Sequence, residues 1–176
     1  HVVQLPNSQT EDGYALYRKE LIRFKEVLEE KFGVKITEEA IAREIKKRNG
    51  INRALTRLQY TMAQDPAPVM GLDIIHTVYG SGFQMNTDTL EDTIDAVTDK
   101  IEKEYQEGKN VGKKPRILIT GSPSGGAALK VIRAIEENGG VVVCFENCTG
   151  MKPLAEVDEE NPDVYDALSR KYLSIG

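Results

Sequence analysis

The fold is decided by one stretch, "RILITGSPSGGAALKVIRAIEENGGVVVCFENCTG", residues 116–150. Two apolar runs, RILIT and VVVCF, flank a glycine-rich turn and a segment of helical periodicity that stops at Gly139. Neither run alternates apolar with polar residues, a pattern typical of strands buried on both faces of a parallel sheet. The stretch therefore predicts a strand, turn, helix and second strand, joined by a right-handed crossover.

The sequence before this stretch is mainly helical in its periodicity, and "EGKNVGKKP" at residues 107–115 reads as a linker. A strand is predicted over residues 2–5. Helices are predicted over about 13–32, ended by Gly33; over 37–64, capped by Thr37 and ended by "DPAP"; and over 72–79. Two more helices are predicted, one capped by Asn86 or Thr87 and one over 161–173. We expect an α/β protein: a mainly helical subdomain over residues 1–112, then a truncated half of a Rossmann-like, doubly wound parallel sheet domain over 113–176.

Composition excludes several classes of protein. The chain has 176 residues, a formal net charge of -5 and no basic tract, so charge gives no reason to expect nucleic acid. No apolar run approaches the ~20 residues of a membrane span. Two cysteines do not make a disulfide framework, and we expect a reducing, cytoplasmic setting. Because the chain starts without methionine inside an expected strand, we also expect a fragment of a longer protein.

The turn after the first predicted strand is a candidate ligand loop, since ligands of open α/β sheets bind beyond the carboxyl ends of strands. Gly121 and Gly126 have the spacing of a phosphate-binding loop, but Ala127 and Ala128 replace the lysine and hydroxyl that should follow. This argues against hydrolysis of a nucleoside triphosphate. Two interpretations remain: a helix N-terminus that holds an anion, or a plain structural turn.

The loop after the second predicted strand contains one of the two cysteines. Cys144 lies within the apolar run and is expected to be a small buried hydrophobe. Cys148, in "ENCTG", lies past the strand end, where core packing does not require a thiol. A nucleophilic cysteine would need a histidine as its base. The chain has two histidines, His1 and His76, and the context of His76 is that of an ordinary helix residue. A cubane cluster needs three or four cysteines. Cys148 is thus an incidental thiol or part of a site completed elsewhere.

Three weaker features complete the survey. The second predicted helix has a polar patch that we expect to face solvent or a carboxylate: Arg48, Asn49, Asn52 and Arg53. Glu146, at the strand end, is placed to orient a ligand or to pair with Lys152. The acidic segment "DEENPD", residues 158–163, is expected to be a solvated entrance to the last helix.

Taken together, "HVVQLPNS", "PRILITGSPSGGAALKVIRAIEENGG", "ENCTG" and "DVYDALSRKYLSIG" resemble the 2-hydroxyacyl-CoA dehydratase D-component family. That family includes benzoyl-CoA reductase subunits and double-cubane cluster proteins, and the likeness is greatest to the latter. The resemblance implies an iron-sulfur cluster, [4Fe-4S] or double-cubane, held between two Rossmann-like domains. It further implies electrons from an ATP-hydrolysing activator. Dehydratase members pass one electron to an acyl-CoA thioester and expel the 2-hydroxyl group through a ketyl radical, whereas double-cubane members reduce small molecules.

The resemblance also suggests site residues and partners. Cys148 stands on a family motif and is a possible cluster ligand or cluster neighbour, with Thr149, Gly150, Gly121 and Ser122 as further cofactor-binding candidates. Many relatives have cysteine in place of Ser122, and a hydroxyl is a poor substitute for a thiolate at iron. The implied partners are the activator, a homologous second subunit or a second copy, and an acyl-CoA or small-molecule substrate. No catalytic residue is assigned, and no complete cluster is expected in this chain. The rival interpretations are a non-redox module that binds CoA or phosphate, and a scaffold for a partner subunit.

Overall fold

The structure, a computed structural model, describes residues 1–174. Its elements are α1 (Glu11–Phe32), α2 (Glu38–Tyr60), α3 (Gly71–Ser81), α4 (Leu90–Gln106), β1 (Arg116–Gly121), α5 (Gly126–Glu137), β2 (Val141–Asn147) and α6 (Val164–Ser174), with 3-10 turns at Thr61–Ala63 and Lys152–Leu154. Helices thus precede a parallel strand pair joined by a helix. The expected fold class, a helical portion followed by half of a Rossmann-like α/β unit, is confirmed.

The two strands pair in parallel, from Arg116 opposite Val141 to Gly121 opposite Asn147, with an irregularity after Ile117. β2 is buried, with Val141, Val142 and Phe145 at most 1% exposed. The expectation that both strands are buried on two faces is wrong for β1, since Leu118 is 55% exposed. Exposed residues alternate with half-buried ones along β1, so one face of this strand is left uncovered in the structure of residues 1–174.

The chain forms two compact units. One combines residues 1–49 with the described residues from 155 onward, and the other is Gly50–Leu154. The first unit has a small core of Ile45, Val157, Val164, Tyr165 and Ala167. The second has the larger core, centred on α2, α3 and the two strands. The predicted boundary between residues 112 and 113 falls in the α4–β1 loop of the second unit, and it stays a prediction.

Several helix ends follow from capping chemistry. Thr10 Oγ1 accepts a hydrogen bond from the Gly13 N–H, so α1 begins two residues before the predicted start. Gly33 ends α1 in the left-handed conformation, as predicted. Thr37 caps α2 through the Ala40 N–H, also as predicted. The cap predicted at Asn86 or Thr87 is wrong, because α4 begins at Leu90 and the Asn86 side chain bonds the Asp88 N–H within the preceding loop.

Two other expectations need correction. Residues 2–5 do not form a strand: Val2 and Leu5 are exposed, and the Gln4 N–H donates to the Glu20 carboxylate and not to a sheet neighbour. Asn49 and Asn52 of the predicted polar patch do not face solvent, since both are buried. The other expectation for the patch, a carboxylate partner, is confirmed for Asn49, whose amide donates to the Glu159 carboxylate and to the Val157 carbonyl. The partners of Gln4 and Asn49 are distant in sequence, and local pattern does not contain them.

The acidic segment before α6 behaves as expected. Asp158, Glu159 and Glu160 are exposed, and Asp163 accepts the N–H groups of Tyr165 and Asp166 at the start of the helix. Across residues 1–174, no helix combines the length and the apolar character that crossing a bilayer requires.

Candidate functional site

The two candidate loops leave the same edge of the sheet. Gly121, the last residue of β1, lies opposite Asn147, the last residue of β2. Because the strands are parallel, the "GSPSGG" and "ENCTG" loops begin side by side at their carboxyl ends. This is the position at which open α/β sheets bind ligands.

One buried side chain links these loops. Asn147 is 0% exposed, and its Nδ2 donates to Ser124 Oγ at 2.9 Å, a hydroxyl that is also 0% exposed. Its Oδ1 accepts the N–H groups of Thr149 and Gly150, each at 3.0 Å. Three hydrogen bonds from one amide therefore fix the shape of the second loop and tie it to the first.

Both loops require glycine at a specific point. A Cβ on Gly150 would lie 2.0 Å from the Phe145 carbonyl oxygen, because the loop folds back so closely that the Met151 N–H donates to that same oxygen. Gly121 has a φ of 107°, which L side chains rarely adopt. The candidates Gly121 and Gly150 therefore shape the loops through their backbones.

The two thiols have different surroundings. Cys148 is exposed in the turn that Asn147 organises, as expected for a residue past the strand end. Cys144 lies within β2 but is half-buried, so its interpretation as a small buried hydrophobe is wrong. The physical reason is the uncovered sheet face: Cys144 pairs in register with Leu118, which is itself exposed.

A carboxylate lies beside the loops. Glu146 accepts a hydrogen bond from Thr120 Oγ1, and Lys152 Nζ lies 3.5 Å from its other oxygen, so the predicted pair with Lys152 is confirmed. The hydrogen bond from Thr120, with a further contribution from the Lys152 charge, holds the pKa of Glu146 below its ordinary value. These contacts therefore stabilise the charged form of Glu146 at this edge.

The first loop leads into α5 without a side-chain cap. Gly125 precedes the helix and makes no side-chain hydrogen bond there, while Ser122 is exposed. The hydroxyl of Tyr79, from α3, lies 3.8 Å from the position that a Cβ on Gly125 would occupy. The Tyr79 hydroxyl thus lies close to the residue that precedes α5, and the choice between an anion-binding turn and a structural turn stays a prediction.

Sequence reasoning missed Ser124, Asn147 and Tyr79. An asparagine followed by "CTG" was a usable signal, because asparagine side chains often bond the backbone two residues on. No sequence pattern distinguished Ser124 from the other small residues of its loop. No pattern indicated Tyr79 either, because it approaches Gly125, a residue 46 positions away.

The residues present do not fit a complete iron-sulfur cluster. Such a cluster takes three or four thiolates, whereas the sequence has two cysteines. Within residues 1–174, no three side chains of the histidine, cysteine, aspartate and glutamate types lie together as a metal site. His76 is an exposed residue of α3, in keeping with its interpretation as an ordinary helix residue. Cys148 alone offers an accessible sulfur at the sheet edge, enough for one position of a larger donor set.

A parallel strand pair, its connecting helix and two loops tied together at the strand ends define a Rossmann-like portion of an α/β protein. The model of the family described as "2-hydroxyglutaryl-CoA dehydratase, D-component" matches residues 1–176, and the chain belongs to this family. The resemblance that the quoted motifs indicated is thereby confirmed.

A curated relative agrees with this assignment. The chain is 45% identical over 177 residues to "Putative dehydratase subunit YjiM" of Escherichia coli (strain K12). The match covers 100% of this chain and 46% of that relative, so the chain spans about half the length of the relative it matches.

Proposed function

We propose that this chain is part of an iron-sulfur, 2-hydroxyacyl-CoA dehydratase-type subunit that receives low-potential electrons from an ATP-hydrolysing activator. The observation that carries the proposal is the family match over residues 1–176. The name of the relative, a dehydratase subunit, supports the same class. The further partners that we propose for this chain are a homologous subunit or a second copy, and an acyl-CoA substrate.

The strand-end loops support a place for Cys148 in this function. Cys148 is the exposed thiol of the chain, and its loop is held by the buried Asn147 amide. A thiolate fixed on a rigid turn is a suitable ligand, because the backbone conformation is set before metal binds. We propose that Cys148 supplies one sulfur to a cluster whose other ligands lie outside the described residues, with Thr149, Gly150, Gly121 and Ser122 lining the same edge.

Anaerobic cluster reconstitution on the protein as its natural host produces it tests this role, with iron content and visible absorption as readouts. Replacement of a ligand should reduce iron affinity by more than the about 10–100-fold typical of losing an outer-shell partner. Cys148→Ser should therefore bind markedly less iron than wild type. Cys144→Ser, which alters the half-buried thiol of β2, is the matched control and should keep its iron. Unchanged iron in Cys148→Ser would contradict the proposed ligand.

A second measurement separates the redox alternatives. The reconstituted protein, supplied with the activator and ATP, should dehydrate a 2-hydroxyacyl-CoA if it is a dehydratase. ATP-dependent reduction of small molecules without dehydration would instead indicate a double-cubane-type reductase. A protein that stays free of iron after reconstitution, yet binds acyl-CoA tightly in a calorimeter, would be a non-redox binding module and would overturn the proposal.

A further inference from the structure

Lys171 is a buried lysine without a carboxylate. It lies in the last turn of α6 and is 7% exposed. Its side chain makes no ion pair and no hydrogen bond within residues 1–174. Because lysine is almost never fully buried unless it is paired, this side chain calls for an explanation.

The charges around Lys171 repel it. Two neighbouring cations are paired, since Arg18 Nε lies 2.6 Å from Asp163 and Arg170 binds two carboxylates. Burial lowers the pKa of Lys171, and the positive charge of Arg48, from α2, lowers it further. Arg48 has no carboxylate partner either in the part of the chain that the structure describes. Both residues belong to the unit that combines residues 1–49 with those from 155 onward, so two uncompensated cations lie near each other there.

The ring of Tyr172 compensates only in part. Lys171 Nζ lies 4.5 Å from the centroid of this ring, a cation–π contact. The last turn of a helix also attracts a cation weakly. An ammonium has three N–H donors, however, and neither effect supplies them with acceptors or relieves the repulsion by Arg48. An anion bound to both residues would do both.

The end of the Lys171 side chain is accessible. The unpaired amide atoms of Gln59 are fully enclosed, whereas the Nζ atom of Lys171, also without a hydrogen bond among residues 1–174, is not. The stem of Lys171 is therefore buried while Nζ retains some accessible surface. Arg48 is exposed. A small anion can thus reach both cations without a change in the fold.

We propose that Lys171 and Arg48 bind an oxyanion of the phosphate type. The ammonium donates to one oxygen, and the planar guanidinium donates to others, as arginine commonly does with phosphate. A phosphate dianion neutralises two cations, whereas a carboxylate neutralises one. Free phosphate and the phosphate of a coenzyme share this chemistry. The inference is independent of the proposed function, since it uses neither the strand-end loops nor an iron-sulfur cluster.

Lysine NMR provides the test. The full natural protein is labelled with ¹³C-lysine, its Lys171 ε-methylene signal is assigned by Lys171→Met, and inorganic phosphate is added at constant ionic strength with chloride as the balancing anion. The Lys171 signal should shift and saturate, and the pKa of Lys171 should rise, because a bound anion stabilises the charged form. The signal of Lys130, an exposed lysine of α5, is the reference and should not saturate. An unshifted Lys171 signal would overturn the proposal.

Arg48→Met removes the second cation at an exposed position. Because hydrogen bonds to charged groups are the stronger ones, this change should weaken phosphate binding, followed through Lys171, by about tenfold or more. Lys46→Met removes an exposed charge two positions away on α2 and is the matched control, which should bind phosphate like wild type. Equal affinities of the two variants would contradict the site.

Lys171→Met separates binding from a structural role. Without phosphate the variant should be at least as stable to heat as wild type, because a buried unpaired charge is gone. Phosphate should raise the Tm of wild type more than that of the variant, since a ligand of the folded state stabilises it. A lysine held only by Tyr172 would give a less stable variant and the same phosphate effect in both proteins, which would overturn the proposal.

Coenzyme A and dephospho-coenzyme A distinguish the sources of the phosphate, since they differ by the 3′-phosphate. Tighter binding of coenzyme A than of dephospho-coenzyme A and inorganic phosphate, with the difference lost in Arg48→Met, would assign the site to the coenzyme. Equal affinity for coenzyme A and inorganic phosphate would assign it to a free phosphate group. Binding of all three compounds that is unchanged in Arg48→Met would overturn the proposal.

Discussion

The two ends of β2 are organised by different buried polar side chains, with different results. At the amino end, Glu136 of α5 is 8% exposed and accepts three backbone N–H groups: Gly71 at 2.7 Å, Leu72 at 3.2 Å and Val142 at 3.2 Å. At the carboxyl end, Asn147 accepts two N–H groups and donates to one hydroxyl. Glu136 joins α3, α5 and β2, whereas Asn147 joins two loops.

The difference lies in what each arrangement exposes. Glu136 caps the start of α3, where Met70 provides no side-chain cap, and its bonds end within the packed unit. Asn147 holds a turn that presents Cys148 to solvent, with Glu146 and Lys152 beside it. The amino end is thus specialised for stability and the carboxyl end for display of chemical groups, the division of labour common in α/β folds.

Glu136→Ala gives the largest expected effect on this comparison. It leaves three N–H groups without their acceptor, and each buried unpaired group costs about 1–3 kcal/mol, so the free energy of unfolding should fall by about 3 kcal/mol or more. Urea unfolding followed by circular dichroism measures the change. Glu137→Ala, one residue along on the exposed side of α5, is the control and should stay within about 0.5 kcal/mol of wild type. Equal stability of the two variants would show that the hydrogen bonds of Glu136 do not stabilise the amino end of β2.

Asn147→Ala should have a smaller effect on stability and a larger one on the candidate site. The loss of the acceptor for Thr149 and Gly150 should cost about 2 kcal/mol, since Gly150 is buried and Thr149 partly so. Hydrogen exchange at those two amides should accelerate more than at the amides of α3. Asn138→Ala removes an exposed asparagine whose amide bonds a helix carbonyl, and it should leave both amides protected. If exchange in the loop were unchanged in Asn147→Ala, some other group would hold the turn.

The extent to which sequence predicts this fold follows from the range of the interactions. Patterns a few residues long predicted β1, β2, α5 and the stops at Gly33 and Gly139, and these predictions agree with the structure. Residues 2–5 have the composition of a strand, but a strand exists only where a neighbour pairs with it. The same limit applies to β1, whose apolar residues did not reveal that one face lacks a cover among residues 1–174.

For the candidate site, sequence predicted the position better than its supports. Cys148 and the glycines follow from the rule that loops at the carboxyl ends of strands meet. The hydrogen bond between Asn147 and Ser124 spans 23 residues and involves two side chains, for which no local pattern exists. Gln59 shows the same limit. A polar residue on a long helix suggests solvent exposure, but Gln59 is buried in the fold.

The smallest expected effect concerns the charge at the carboxyl end. The Thr120 hydrogen bond is the larger cause, and the Lys152 charge the lesser, of a Glu146 pKa below its ordinary value. A carboxyl whose pKa is lower in the folded state stabilises the fold at pH above its ordinary pKa, and this contribution is lost as the pH falls through the lower, folded-state value. Thr120→Val should therefore raise the pKa of Glu146 toward its ordinary value. The free energy of unfolding should then depend less on pH in the acidic range.

Carboxyl ¹³C NMR titration of Glu146 measures this change, and Lys152→Met is the matched comparison. Both substitutions should raise the pKa of Glu146, because Thr120 donates a hydrogen bond to its carboxylate and Lys152 acts through its charge and a hydrogen bond of its own. High salt should diminish the effect of Lys152→Met, since salt screens an exposed ion pair, and should leave the effect of Thr120→Val largely intact. A pKa of Glu146 that did not change in Thr120→Val would contradict this role of the Thr120 hydroxyl.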